Sequence, residues 1–134
     1  MAEVEGKLDI RSSEDVVRVR QAVRALALRC GLSLVDQTKV VTAASELARN
    51  TIDYGGGGTM IMERLTNGLK PGIRLTFEDQ GPGIADIDLA LKDGYTTGGG
   101  LGLGLSGAKR LSSEFKIESK VGEGTRVMIT RLKG

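Results

Sequence analysis

Two glycine clusters constrain this chain more than any other feature of its sequence. The first reads Asp79-Gln80-Gly81-Pro82-Gly83-Ile84 and follows an alternating run, and the second, Gly98–Gly104, leads into a helical pattern. Glycine lets backbone N–H groups approach an anion closely, and a helix N-terminus adds unpaired N–H groups with partial positive charge. Either cluster alone suits a tight turn or a hinge equally well. Together they predict a phosphate cradle with Asp79 at the bottom of the pocket.

Length and composition indicate one domain with an aliphatic core. The chain has 134 residues, of which 40% are hydrophobic and only 3% aromatic, and domains usually contain about 100–200 residues. We therefore expect a single domain over 1–134, with a core of Val, Leu, Ile and Ala. The formal net charge of +2 is spread without long blocks of one sign. This distribution argues against a nucleic-acid-binding arm and against a membrane-binding patch.

The chain contains no histidine and a single cysteine, Cys30. These counts exclude Ser-His-Asp and Cys-His catalysis, histidine-ligated zinc and an intramolecular disulfide within this sequence. Any chemistry must therefore use carboxylates, amides, hydroxyls, Lys, Arg or a bound metal ion. No run approaches transmembrane length and no signal-peptide pattern is present, which predicts a soluble cytoplasmic protein.

The first half of the sequence predicts two amphipathic helices. Ser12 or Ser13 begins the first helix and Ser33 the second, since serine is a favoured N-cap. Apolar residues recur at intervals of three and four, which places them on one face of each helix. These core residues are Val16, Val19, Val23, Leu26 and Cys30 in the first helix, and Val40, Ala43, Ala44, Leu47 and Thr51 in the second.

A polar stripe runs along the second helix, and two of its members carry the functional prediction. Glu46 and Asn50 are i,i+4 neighbours, so their side chains project together. Asparagine is a poor helix former, and one reason to keep it within a helix is that its amide oxygen ligates a metal. An ordinary exposed polar face is the alternative. The whole stripe consists of Thr42, Glu46, Arg49, Asn50 and Asp53.

The remaining segments predict strands, a lid and a third helix. Five runs read as strands, joined in part by hairpin loops at Asn67–Gly72 and Val121–Gly124: Val4–Ile10, Thr59–Leu65, Gly72–Asp79, Phe115–Lys120 and Gly124–Leu132. Residues 85–104 contain few apolar anchors between glycines, which suits a lid that closes over a ligand. Leu105–Phe115 predicts a third long helix. The order favours an α+β two-layer sandwich with a mostly antiparallel mixed sheet and about three long helices on one face.

Three motifs coincide in order along the chain. They are Glu46-x-x-x-Asn50 on a helix, Asp79-x-Gly81-x-Gly83 after a strand, and Gly98–Gly104 before a helix. Their order and spacing resemble the Bergerat ATP-binding fold shared by gyrase, Hsp90, histidine kinases and MutL. Gly124-Thr125 resembles the last nucleotide box of that superfamily. Within it, Ser45–Asn50, Glu78–Ile84 and Gly102–Leu111 resemble the anti-sigma-factor type of serine/threonine kinase, which includes the switch kinases of bacterial stressosomes.

That resemblance implies a function and a set of partners. The function is a protein kinase that uses Mg-ATP to phosphorylate Ser or Thr on STAS-domain proteins, the antagonists and scaffolds of a stressosome. It also implies that the released kinase binds and activates a PPM-type phosphatase, with no nucleic-acid or membrane partner. The cofactors are ATP or ADP and Mg²⁺.

The resemblance also implies roles for individual residues. Asn50 holds Mg²⁺ through its amide oxygen, Glu46 accepts or orients the proton of the substrate hydroxyl, and Asp79 accepts a hydrogen bond from the adenine amine. Arg49 meets phosphate or a partner, or faces solvent. The implied nucleotide-binding set is Asn50, Asp79, Gly81, Gly83, Ile84, Gly98, Gly100, Gly102, Leu103, Gly104 and Thr125.

Two other interpretations have sequence support. Gly102-x-Gly104-x-x-Gly107 matches a dinucleotide fingerprint, but that motif needs a strand directly before it, and residues 92–97 are not strand-like. The stronger rival is a nucleotide-dependent module that sequesters or activates a partner with little catalysis. Glu46 argues against pure binding, because nucleotide affinity alone does not require an acid at that position.

Overall fold

The computed structural model describes residues 2–67, 70–92 and 104–134. Its five strands form one sheet in the order β1-β2-β3-β5-β4, and every pairing in it is antiparallel. This confirms the α+β class, although the described strands contain no parallel pair where a mixed sheet was expected. In chain order the elements are β1 Ala2–Ile10, α1 Ser13–Arg29, α2 Leu34–Asp53, β2 Gly58–Asn67, β3 Lys70–Asp79, α3 Ile87–Ala90, α4 Gly104–Arg110, β4 Glu114–Lys120 and β5 Gly124–Leu132.

The two long helices begin where serine and a nearby acid satisfy the first backbone donors. Ser12 is the N-cap of α1, and the Asp15 carboxylate accepts the Arg11 N–H at 2.9 Å. Ser33 caps α2 through its hydroxyl, which accepts the Asp36 N–H at 3.1 Å. Both predicted core stripes are buried in full. They pack α1 and α2 on one face of the sheet, as the periodicity predicted.

The register of the central strands places apolar side chains together beneath these helices. Met60 of β2 lies opposite Phe77 of β3, and Phe77 lies opposite Val127 of β5. All three side chains are buried. The opposite face of the sheet carries cross-strand ion pairs, such as Arg74 with Glu63 at 2.9 Å. The alternation therefore gives the sheet one buried and one charged face.

The predicted third long helix is wrong in its second half. We expected Leu105–Phe115, but α4 ends at Arg110 and β4 begins at Glu114. The Ser113 N–H donates to the Thr130 carbonyl at 2.8 Å, and the Ser113 hydroxyl accepts the Leu132 N–H at 3.0 Å. These bonds join the chain to β5. Leu111 and Phe115 have helical spacing, but this sheet pairing overrides it.

The first hairpin is also tighter than expected. Lys70, Pro71 and Gly72 were assigned to its loop, yet they lie within β3, where Lys70 pairs with Asn67. Pro71 has no N–H to donate, and it lies near the start of the strand, where proline is tolerated. Its carbonyl accepts the Lys133 N–H at 2.8 Å.

A buried ion pair ties the C-terminal end of the chain to the start of α2. Arg131 donates to the Asp36 carboxylate at 2.8 Å and to the Leu111 carbonyl at 3.2 Å. The Gly134 N–H donates to the other Asp36 oxygen at 3.4 Å. Burial alone would raise the pKa of Asp36, but the hydrogen bonds and charge around it, chiefly from Arg131, lower that pKa overall. The pair therefore links α2, β5 and the end of α4.

Candidate functional site

A cavity of about 230 Å³ lies between the C-terminal half of α2, the ends of β3 and β5, and the segment around α3. Its walls are mostly apolar, with a few polar groups among them. This composition is typical of sites for small ligands. The lining residues are Leu47, Asn50, Thr51, Tyr54, Phe77, Asp79, Ile84, Ala85, Asp86, Leu89, Ala90, Gly104, Leu105, Thr125 and Val127.

Asp79 is a half-buried residue whose carboxylate lines this cavity. It is the last residue of β3, and its Oδ1 accepts the Gly81 N–H at 2.9 Å. Burial raises the pKa of Asp79, although hydrogen bonds from the backbone N–H groups of Gly81 and Thr125 oppose that rise. Its side chain is thus a fixed acceptor facing a pocket, as its place at the end of the strand predicted.

The first glycine cluster shapes the loop beside Asp79. Gly81 lies against the turn that follows α2, since a Cβ on it would stand 2.6 Å from the Gly55 Cα. Gly83 has a φ of +78°, and a Cβ there would collide with the Lys120 carbonyl. Neither glycine lines the cavity, but the next residue, Ile84, does. In this structure the two glycines allow the loop to pack tightly and present Ile84.

Thr125 lies directly opposite Asp79 in the β3–β5 pairing and also lines the cavity. Its hydroxyl is 2.8 Å from the Ser119 hydroxyl. Ser119 in turn accepts the Ile84 N–H at 2.8 Å and donates to the Gly124 carbonyl at 3.0 Å. A single serine on β4 therefore connects the Ile84 loop with Thr125.

Asn50 and Glu46 lie one turn apart on α2, and both are partly buried. Asn50 lines the same cavity as Asp79, and its side-chain amide has no hydrogen-bond partner among the residues that the structure describes. Glu46 lies outside the lining, and its Oε2 is 3.5 Å from the backbone nitrogen of Gly104 at the start of α4. The polar stripe thus contributes one group to the cavity and one to its rim.

The other predicted site residues differ in their position relative to the cavity. Arg49 is exposed and does not line the cavity. Gly104 does line it and starts α4 with a φ of +63°. Gly98, Gly100, Gly102 and Leu103, with most of the expected lid over 85–104, lie outside the described residues. Within the described part of that segment, Ala85, Asp86, Leu89 and Ala90 form a wall of the cavity.

Sequence reasoning missed several residues of this site. No role was expected of Tyr54, which lies at the end of α2 and lines the cavity. Its position directly after the polar stripe and before a glycine run was the available signal. Ser119 had no such signal, because its role depends on the pairing of β4 with β5. The apolar wall, such as Leu105 and Leu89, looked like ordinary core or surface.

The geometry suits a flat heterocycle with a charged tail. Apolar side chains can cover both faces of a ring, and the acceptors Asp79 and Thr125 stand at its edge. Asn50 and Gly104 line the same cavity. These features fit a nucleotide-binding domain of α+β architecture.

Comparison with known proteins identifies the family. Residues 35–133 match the family of histidine kinase-, DNA gyrase B- and HSP90-like ATPases. The chain is 46% identical over 118 residues to the serine/threonine-protein kinase RsbT of Bacillus subtilis (strain 168), which covers 88% of this chain and 89% of RsbT. The chain therefore belongs to this ATPase family, in its branch of serine/threonine protein kinases, and it is an ATP-dependent kinase.

Two further similarities agree with this assignment. The anti-sigma F factor of Geobacillus thermodenitrificans (strain NG80-2) is 29% identical over 127 residues, covering 89% of this chain and 85% of that protein. A crystal structure of the RsbU and RsbW domains of a Mycobacterium tuberculosis protein superposes with a TM-score of 0.63 at 23% identity. It covers 95% of this chain, and this chain spans 32% of that longer one. The structural match supports the fold.

Among the described residues, none of the helices combines the length and the apolar character that crossing a membrane requires.

Proposed function

We propose that this protein uses Mg-ATP to phosphorylate Ser or Thr on STAS-domain partners in a bacterial stress-signalling partner switch. The observation that carries the proposal is that Asn50 and Asp79 line the same cavity. Asn50 brings an amide oxygen to it, and Asp79 brings a carboxylate held by the Gly81 N–H. The similarity to a serine/threonine-protein kinase over most of both chains supports the reaction class.

The adenine end of the site is assigned to Asp79, Thr125 and Ile84. The Asp79 carboxylate accepts a hydrogen bond from the exocyclic amine, and Thr125 contributes a second polar group at the same edge. Ile84 and Phe77 cover the ring. Gly81 and Gly83 set the path of the loop that brings Ile84 to the cavity.

The phosphate end is assigned to Asn50, Gly104 and the glycine cluster before it. Mg²⁺ prefers oxygen ligands and is commonly held by one or two protein oxygens together with substrate phosphates. The unpartnered amide of Asn50 fits that requirement. Mg²⁺ held there would supply positive charge that offsets the negative charge developing during transfer. Gly98, Gly100, Gly102 and Leu103 are proposed as backbone donors to the phosphates.

Glu46 is proposed as the group that acts on the incoming hydroxyl, because it lies one turn from Asn50 at the rim of the cavity. Phosphoryl transfer depends mainly on positioning and charge stabilisation, so one carboxylate near the acceptor is sufficient. Arg49, exposed on the same helix, is proposed as a contact for phosphate or for the partner.

The partners proposed are STAS-domain antagonists and scaffolds, and a PPM-type phosphatase that the released kinase binds and activates. Similarity to both a named kinase and named anti-sigma factors supports a partner switch. The similarity to anti-sigma F factors also favours a second candidate, a nucleotide-dependent binding module in which sequestration is the main output.

Single-turnover transfer from labelled ATP to a STAS-domain protein encoded beside this gene tests the proposal, with a pull-down of the same pair. We expect label on a Ser or Thr of the partner, dependent on Mg²⁺. Complex formation with nucleotide but no transfer to any such partner would favour the binding module instead.

A further inference from the structure

Ser119 has every one of its hydrogen-bonding positions occupied within the protein. A serine hydroxyl offers one proton and two lone pairs. Its proton points to the Gly124 carbonyl at 3.0 Å, and one lone pair accepts the Ile84 N–H at 2.8 Å. The remaining contact, with the Thr125 hydroxyl at 2.8 Å, must therefore be one in which Thr125 donates.

The opposite assignment leaves an unfavourable contact. If Ser119 donated to Thr125, no proton would lie between the Ser119 oxygen and the Gly124 carbonyl oxygen at 3.0 Å. Two oxygen lone pairs would then face each other in a partly buried position, where an unsatisfied acceptor is costly. The arrangement in which Thr125 donates satisfies all three contacts.

This assignment decides whether the Thr125 hydroxyl donates or accepts a hydrogen bond toward the cavity. With its single proton on Ser119, the Thr125 oxygen has only lone pairs left to offer a ligand. Asp79, which lies opposite Thr125 across the β3–β5 pair, offers carboxylate lone pairs at the same edge. The edge of the cavity thus presents two acceptors.

We propose that Ser119 is a positioning residue that makes Thr125 an acceptor and thereby selects purines with an amino group at position 6. A 6-amino group has two N–H donors for two acceptors. A 6-oxo group, as in inosine or guanine nucleotides, brings a third acceptor to the same edge. The inference rests on the proposed adenine site at Asp79 and Thr125, and it adds Ser119 and the direction of the Thr125 hydrogen bond.

The test compares ADP with IDP, which differ at position 6 through amino and oxo groups. Calorimetry gives both dissociation constants for the unmutated protein and for Ser119→Ala. Without Ser119, the Thr125 hydroxyl is free to turn and donate to the 6-oxo group. We expect the preference for ADP over IDP to fall about five- to tenfold, the size of one neutral hydrogen bond gained or lost.

Matched variants separate selectivity from general damage. Ser113→Ala removes a comparable hydrogen bond, to the Leu132 N–H at the other end of the same strand pair, and should leave the preference for ADP over IDP unchanged. Ser119→Thr keeps the hydroxyl and should retain that preference. Thr125→Val removes the acceptor itself and should lower the preference, while Ser119 still accepts the Ile84 N–H.

The outcomes distinguish the inference from the proposed function. An unchanged preference for ADP over IDP in Ser119→Ala, with ADP still bound, would overturn the inference and leave the kinase proposal standing. An equal fall in the preference for ADP over IDP in Ser113→Ala would also overturn it. If the unmutated protein bound neither nucleotide, both the inference and the proposed site would fail.

Discussion

Gly55 and Asp79 pack so closely that a Cβ on residue 55 would lie 2.5 Å from the Asp79 Oδ2. Gly55 belongs to the turn that ends α2, where its N–H donates to the Asn50 carbonyl at 3.2 Å. The end of the helix that carries Asn50 is therefore in direct contact with the carboxylate proposed to bind the base. Two assigned functions depend on the shape of one turn.

The first prediction follows from that contact. Gly55→Ala should displace the Asp79 side chain and weaken ADP binding by about tenfold or more, a cost of at least 1.4 kcal/mol. Gly55 does not have a positive φ, so alanine adds no backbone strain. Isothermal titration measures the change. Gly6→Ala is the matched control, because its nearest neighbour is the end of the flexible Met62 side chain at 3.2 Å, away from the site.

A second prediction concerns Asp79 itself and nucleotide affinity. Asp79→Asn keeps an oxygen for the Gly81 N–H but removes the charged acceptor. Because hydrogen bonds to charged groups contribute about 1.5–3 kcal/mol, ADP affinity should fall by about 10- to 100-fold. Equal calorimetric affinities for the variant and the unmutated protein would remove Asp79 from the site.

The same substitution should stabilise the free protein. The folded state raises the pKa of Asp79, so it holds the proton more tightly than the unfolded chain does. The ionised carboxylate therefore costs stability above the folded pKa, and this cost disappears as pH falls toward the ordinary range of aspartate. Chemical denaturation without nucleotide should show Asp79→Asn more stable than the unmutated protein at neutral pH. That advantage should shrink as the solution is acidified, and an advantage that grew with acid would contradict the assignment.

The sequence predicted the parts of this fold that depend on local patterns. The stripes of α1 and α2, the serine caps and the strand alternation around Phe77 each reflect contacts within a few residues. The end of α4 failed because Leu111 and Phe115 fit either a helix or a strand, and pairing with β5 decided the outcome.

Some residues of the site could likewise be identified from local sequence patterns, and others could not. Asn50 and Asp79 could be identified because each stands out locally, as a polar residue within a helix and an acid at a strand end. Ser119 and Gly55 could not, since their importance comes from neighbours distant in sequence. Gly55 looked like one of several glycines in a turn, and its contact with Asp79 appears only in the structure.

A third prediction concerns the link between the C-terminal end of the chain and α2. The side chains of Asp36 and Arg131 are only 8% and 17% exposed, so removing one partner leaves a charge with little access to water. Arg131→Met should cost about 3 kcal/mol, the lower end for a broken buried pair. Glu3→Gln, which breaks the exposed pair with Arg64, should cost less than about 1 kcal/mol. Urea denaturation compares the two, and equal costs would contradict the structural role.

The ion pair between Asp36 and Arg131 should also make the free energy of unfolding depend on pH. The folded state lowers the pKa of Asp36, so its contribution is fully present above the ordinary pKa of aspartate and is lost as pH falls through the folded value. The difference in unfolding free energy between the unmutated protein and Asp36→Asn should therefore shrink with acidification. A difference that stayed constant down to pH values below that range would contradict it.

The last prediction separates the tasks of two residues on one helix face. Asn50→Ala removes the proposed metal ligand, so it should weaken Mg²⁺-dependent nucleotide binding and slow transfer together. Glu46→Gln should keep nucleotide and partner binding but slow single-turnover transfer by about 10²–10⁴-fold, the usual range for a general base. If Glu46 mainly orients the hydroxyl in a loose transition state, the loss should sit at the low end of that range.

Glutamine is the informative substitution at position 46 because the Glu46 carboxylate also approaches the Gly104 N–H, at 3.5 Å. Gln keeps an oxygen for that contact and loses only the charge and basicity of the carboxylate. Glu46→Ala would lose the contact as well as the carboxylate. If the contact with Gly104 were the whole role of Glu46, Glu46→Gln would transfer phosphate at the normal rate and only Glu46→Ala would be slow. A slow Glu46→Gln with unchanged ADP affinity assigns the defect to the carboxylate and its action on the incoming hydroxyl.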